Sequence, residues 1–208
     1  MSAVEAEPAV AAQLFGDRID VARSFTDALA REGEERGLIG PLELPRLWTR
    51  HVLNSVIAAP LFSGSVADIG SGAGLPGIVL AIARPDVHWT LVEPMERRVN
   101  WLNEQVSALG LSNVQVLRAR AEDVRQPDGF DFVTARAVSA PRTLIPITAP
   151  LVRDSGELAL LKGMNAPAEV EAAQKQIKKF RLSEVRVEIL GEGVLPETTR
   201  VVRASVRK

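Results

Sequence analysis

Residues 66–77 read VADIGSGAGLPG. A short apolar run closes on Asp68, and Gly70, Gly72, Gly74 and Gly77 follow it. Glycine adopts backbone angles that other residues avoid, and it lets the main chain come close to another group. A glycine cluster after an apolar run therefore reads as the turn from a strand into a helix beside a ligand. Proline suits a first helical turn, where its missing N–H would be unpaired anyway, so Leu75–Pro76 mark the helix start. Ile78, Leu80 and Ile82 follow on its buried side.

The segments around this turn set the fold class. Residues 88–93 (HWTLVE), 113–119, 130–135 and 156–163 read as further strands, and 75–84, 95–109, 139–152 and 166–180 as helices. Near-continuous apolar strands alternating with helices are the pattern of a parallel sheet covered on both faces. Residues 183–190 and 199–206 alternate with period two and follow each other without a helix, so they are expected to pair as an antiparallel hairpin at the sheet edge. Before residue 60 the apolar spacing is helical, broken at Gly33, Gly37, Pro41 and Pro45. The expected architecture is α/β, seven-stranded and doubly wound. An N-terminal helical extension (1–60) precedes a single sheet domain (61–208).

Composition narrows the chemistry. The 208 residues include no cysteine and two histidines. Thiolate nucleophiles, disulfides and cysteine metal sites are excluded, and a histidine-rich metal site is not expected. No signal peptide or membrane-length apolar run is visible, which gives the expectation of a soluble cytoplasmic protein. The net charge is −1. Its distribution is uneven: residues 1–60 hold 6 bases and 9 acids, and residues 153–208 hold 11 bases and 8 acids. This permits a local basic face but not a uniformly basic, nucleic-acid-coating surface.

The acids around the glycine turn suggest which ligand it holds. Glu93 ends the next strand, 23 residues after Gly70. A carboxylate there can accept both hydroxyls of a ribose. After the third strand comes Ala121-Glu122-Asp123, where an acid can accept from an adenine amino group; helix capping is the other reading, above all for Asp123. The spacing GxGxG, with Leu75–Pro76 at the helix start, differs from the pattern that seats a pyrophosphate on a helix N-terminus. The reading is an adenosine site without a pyrophosphate.

DIGSGAGLPG, the LVEP acid, AED and TARA (134–137) resemble class I methyltransferases. LWTRHVLNS (47–55), LPGIVLAIARP (75–85) and ALLKG (159–163) are similar to a narrower group, the bacterial small-subunit ribosomal RNA guanine-N7 methyltransferases, or glucose-inhibited division protein B family. The resemblance runs from about residue 44 to the C-terminus. It departs at Asn54, where the family usually has an acid, and at ETTR (197–200), where E–RH is common. It implies a Rossmann-like sheet and transfer of a methyl group from S-adenosylmethionine to guanine N7 in small-subunit (16S) ribosomal RNA. Gly70 and Leu75 would contact the cofactor from the loop, Ala121 and Glu122 would line the adenine, and Arg136 would lie beside the cofactor. Gly72 belongs to the same loop. The partner implied is 16S RNA or the small ribosomal subunit, met by a monomer.

Guanine N7 carries a free lone pair and no proton, so such a transfer needs positioning rather than a general base. No catalytic residue is assigned, with Arg136 the one candidate. His51 reads as structural in preference to a base. Arg50, His51, Lys162 and Arg200 are the candidates for RNA contact, since they fall at loop or strand ends on the ligand side. Lys175, Lys178 and Lys179 read as a solvated helix face. Two other classes stay open: a class I methyltransferase acting on another RNA, a protein or a small molecule, and a nucleotide-binding regulator or NAD-dependent enzyme.

Overall fold

The computed structural model describes residues 3–136 and 140–207. Three positions used above, Ala137 of TARA, Ser139 at the start of the expected proline-interrupted helix, and Lys208, lie outside them.

Helices lead the chain: α1 (Val10–Phe15), α2 (Ile19–Glu32) and, after a linking segment, a π-helical stretch (Leu47–Leu53) that runs into the short α3 (Asn54–Val56). A regular helix was expected over the last two. π-Helical turns are rare and cluster at functional sites, and this one carries Arg50 and His51. The alternating half follows: β1 (Ser65–Ile69), α4 (Gly77–Ala83), β2 (His88–Val92), α5 (Glu96–Ala108), β3 (Val114–Leu117), β4 (Phe130–Arg136), α6 (Pro141–Thr148) and β5 (Val152–Lys162). The chain ends in α7 (Ala166–Glu171), α8 (Gln174–Lys179), β6 (Leu182–Leu190) and β7 (Thr199–Val206). The single basic helix expected over 166–180 is two helices. The break falls at Ala172 and Ala173, of which Ala173 is fully buried and Ala172 exposed.

The seven strands order as β3-β2-β1-β4-β5-β7-β6. The first five are parallel, and β7 runs antiparallel to both β5 and β6. The edge hairpin is therefore present, with its second strand inserted next to β5. The order reverses direction between β1 and β4. In such sheets ligands bind at this switch point, beyond the carboxyl ends of the strands.

Strand alternation sorts the residues of β1 between two cores. Val66 faces a cluster built from α1, α2, α4, β2 and α5, with Phe25, Leu29, Ile78 and Trp101 fully buried in it. Ala67 and Ile69 face the other cluster, under α6 and the β5–β7 strands. Asp68, two residues from Val66, shares the first face and so points at α4. The N-terminal helices thus pack on the same core as the first half of the sheet. No helix among the described residues is long and apolar enough to cross a membrane.

Candidate active site

The turn after β1 is held by main-chain bonds that leave its far side open. Gly70 N–H donates to the Val92 carbonyl (2.8 Å), and so does Ser71 N–H (3.2 Å). Gly70 (φ 72°), Gly72 (φ 56°) and Gly74 (φ 93°) all lie in the left-handed region that favours glycine. Trp101 Nε1 donates to the Ala73 carbonyl at 3.0 Å, which ties α5 to the turn.

Two carboxylates fix the rest. Asp68 is fully buried, and its Oδ2 accepts from Gly77 N–H at 3.1 Å. Its Oδ1 has no hydrogen-bond partner among the described residues. Burial pushes the Asp68 carboxyl up to about 7, against the pull of the Gly77 N–H and the Arg136 charge. Glu93 is 2% exposed. Its Oε2 accepts from Gly72 N–H and its Oε1 from Met95 N–H, both at 3.0 Å. Each oxygen of Glu93 has acceptor capacity beyond these single bonds, and the residue lines the cleft.

The four glycines divide by what they clear. A Cβ on Gly77 would strike Leu91 and lie 2.5 Å from Asp68 Oδ2, and one on Gly74 would lie 2.7 Å from Ile78 Cδ1. These two make room for the protein's own packing of α4 on β1 and β2. Only Gly70 and Gly72 border the open side.

That open side is a cleft of about 570 Å³, walled by Gly70, Gly72, Leu75, Glu93, Met95 and Arg136. Its volume suits a ligand of nucleoside size. Leu38, Ile39 and Gly40 close it from the N-terminal segment. A second cleft of about 430 Å³ opens beside it, walled by Asn54, Lys162, Met164, Glu197 and Thr199. Arg50, His51 and Arg136 line both, so they form the partition between the two.

The partition is a chain of charges. His51 Nε2 lies 2.6 Å from Glu43 Oε2, and its Nδ1 lies 3.1 Å from Arg136 Nη2. Burial pulls the Arg136 guanidinium down to about 10, with Asp68 opposing. Arg136 Nε has no partner among the described residues. Burial and the Arg136 charge hold the His51 imidazole below its ordinary value.

The other residues singled out from sequence are placed as follows. Ala121 and Glu122 form a short 3-10 turn (Ala121–Asp123) after β3, at the ligand end of the sheet but outside the walls of the first cleft. The residue in the N-cap position of this turn is Arg120, and Asp123 is the turn's last residue. Lys162 lines the second cleft, but its side chain is 8% exposed and its ammonium is paired to Glu169 at 2.8 Å. Arg200 stands opposite Lys162 in the β5–β7 register, just past the cleft-lining Thr199. Asn54 Oδ1 is buried at the second cleft without a partner among the described residues. Glu43 went unnoticed in the sequence, because a single acid in a linking segment carries no periodic signal. Arg98, 3.9 Å from Glu93, was missed because a base in the first turn of α5 carries no sign of which group it meets across the fold.

The model of the family described as "GidB: rRNA small subunit methyltransferase G" matches residues 18–198. The chain belongs to this family. Family members similar to it include the ribosomal RNA small subunit methyltransferase G of Leifsonia xyli subsp. xyli, 66% identical over 205 residues and covering 98% of both chains. The enzyme of the same name from Clavibacter michiganensis is 65% identical, covering 98% of this chain and 97% of its own. Among solved structures, the S-adenosylmethionine-dependent methyltransferase SibL in its apo form superposes with a TM-score of 0.60 at 16% identity, over 96% of this chain and 71% of that one. The N-methyltransferase NodS from Bradyrhizobium japonicum, in complex with S-adenosylhomocysteine, gives 0.58 at 16% identity, over 86% and 99%. At that identity the structural likeness establishes the fold, a methyltransferase sheet of the Rossmann-like kind.

Proposed function

We propose that this family member transfers the methyl group of S-adenosylmethionine to N7 of a guanine in small-subunit (16S) ribosomal RNA. It would act in the cytoplasm as a monomer, on naked RNA or on the particle. The single observation that carries the site reading is the pair of clefts meeting at Arg50, His51 and Arg136, one of them bordered by the Glu93-held glycine turn. The first cleft fits the methyl donor: it has nucleoside volume, free lone pairs on Glu93, and an unpartnered Nε on Arg136.

In this reading Gly70, Gly72 and Leu75 give backbone clearance, Glu93 accepts from the ribose hydroxyls, and Arg136 marks the boundary with the second cleft. Ala121 and Glu122 would line the adenine from the short turn after β3, outside the walls of the cleft. When bound, the cofactor supplies an electrophilic methyl on a sulfonium. The second cleft takes the target base, with N7 turned toward the partition. Because N7 bears no proton, the protein's contribution is to align the two reactants and exclude water. Arg50 and Arg200 remain the candidates for phosphate contact. Lys162 can join them only by giving up its pairing with Glu169.

The test is transfer of labelled methyl groups onto small-subunit RNA from a strain lacking this protein, with the modified base mapped. Label at one guanine N7 is the expected result. No transfer to RNA or particle, or label at another atom, would overturn the reading.

A further inference from the structure

We propose that Glu43 and His51 are positioning residues that hold the Arg136 guanidinium at the partition between the two clefts. The inference rests on the site reading above, and it makes the N-terminal extension part of the reacting geometry rather than a cover for the sheet.

A guanidinium only donates hydrogen bonds, so His51 Nδ1, 3.1 Å from Arg136 Nη2, must accept. The ring proton then sits on Nε2, which donates to Glu43 Oε2 at 2.6 Å. The contacts therefore specify one neutral tautomer. Arg136 Nη1 adds a long bond to the Arg50 carbonyl, 3.4 Å. Those two contacts to the π-helical stretch are the fixed points of a side chain whose Nε has no partner among the described residues. Protonating Nδ1 would turn the acceptor into a donor facing a cation, and Arg136 would lose its anchor. The charged groups facing His51 are Glu43, Arg50 and Arg136; Asp68 acts on Arg136, and Arg46 on Glu43.

The chain has two histidines, and His88, exposed at the start of β2, is an internal reference. Ring nitrogen-15 spectra of the unliganded protein at pH 7.5 are expected to show His51 as the Nε2–H tautomer. Glu43→Gln removes an anion that favours the imidazolium, so the His51 midpoint should fall. The acid limb of kcat/KM for methyl transfer should move to lower pH with it.

His51→Gln places an amide near Glu43 but out of reach of Arg136, and kcat should drop by roughly 10- to 100-fold, the scale of a misplaced reacting group. His51→Asn sets a carbonyl oxygen near the Nδ1 position and should recover most of that loss. An Nδ1–H tautomer at pH 7.5 would overturn the proposal. So would an acid limb that stays put in Glu43→Gln while the midpoint moves, or equal losses in the Gln and Asn variants. If the wild-type protein transfers no methyl to the RNA, the functional reading fails instead, and the tautomer alone decides this inference.

Discussion

Carboxylates beside the glycine turn and carboxylates at the antiparallel edge of the sheet are both partnered, but by different groups. Asp68 and Glu93, at 0% and 2% exposed, accept from the main-chain N–H groups of Gly77, Gly72 and Met95. At the edge, Glu157 and Glu188 meet the side chains of Arg203 and Arg186 across β5, β7 and β6, at 2.5 to 3.2 Å. The difference is one of burial. A carboxylate taken out of water and bonded to backbone fixes a loop's shape, and its charge is costly to keep. A partly exposed ladder of ion pairs contributes modestly and is screened by salt. The first kind shapes the turn beside the cleft, and the second finishes an edge.

The contrast is sharpest in pH dependence. The Asp68 carboxyl is raised to about 7 in the folded chain from an ordinary value of 3.8. The folded state therefore binds this proton more tightly than the unfolded state. The group's contribution to stability is full below about pH 4 and is lost as pH rises toward 7. Asp68→Asn has no such proton. Its stability relative to wild type should climb across that window by up to about 4 kcal/mol, at about 1.4 kcal/mol per pH decade. Urea unfolding at pH 4, 5.5 and 7 measures it, and a difference flat in pH would break the comparison on its buried side.

Gly77→Ala tests the packing behind the same carboxylate. The added Cβ meets Leu91 and Asp68 Oδ2, and about 3 kcal/mol of stability should be lost, as for an overpacked core. A midpoint unchanged in urea would mean that α4 moves freely on β1. Glu93→Gln keeps an acceptor for one of the two N–H groups and turns an amide donor toward the other, and it should cost about 2 kcal/mol in S-adenosylhomocysteine affinity. Unaltered affinity would remove Glu93 from the loop's support. The smallest effect belongs to the edge. Arg203→Ala should cost about 1 kcal/mol, less in high salt, with cofactor affinity unchanged; a larger loss of binding than of stability would erase the distinction between the two regions.

The comparison also explains what could be read from sequence. The strands were legible because apolar runs and period-two alternation survive in one dimension; the last, Thr199–Val206, has the bounds expected. The glycine turn was legible because proline and glycine punctuate it. The roles inside the turn were not. Asp68 holds Gly77, and Gly74 and Gly77 clear the protein's own side chains, because α4 folds back onto β1, a tertiary event. Glu43 meets His51, in the π-helical stretch Leu47–Leu53, across eight residues of sequence, a contact that no helical or strand period marks. Ala121 and Glu122 were read from their place after the third strand and from the family resemblance, and they stand on a short turn outside the walls of the cleft that Glu93 borders.

The turn VADIGSGAGLPG, held by Glu93, is proposed as an adenosine site with no place for a pyrophosphate. Isothermal titration of the wild-type protein with S-adenosylhomocysteine and with NAD tests it most directly. Saturable binding of S-adenosylhomocysteine and none of NAD is the expected result. Tight NAD binding with no response to S-adenosylhomocysteine would contradict it.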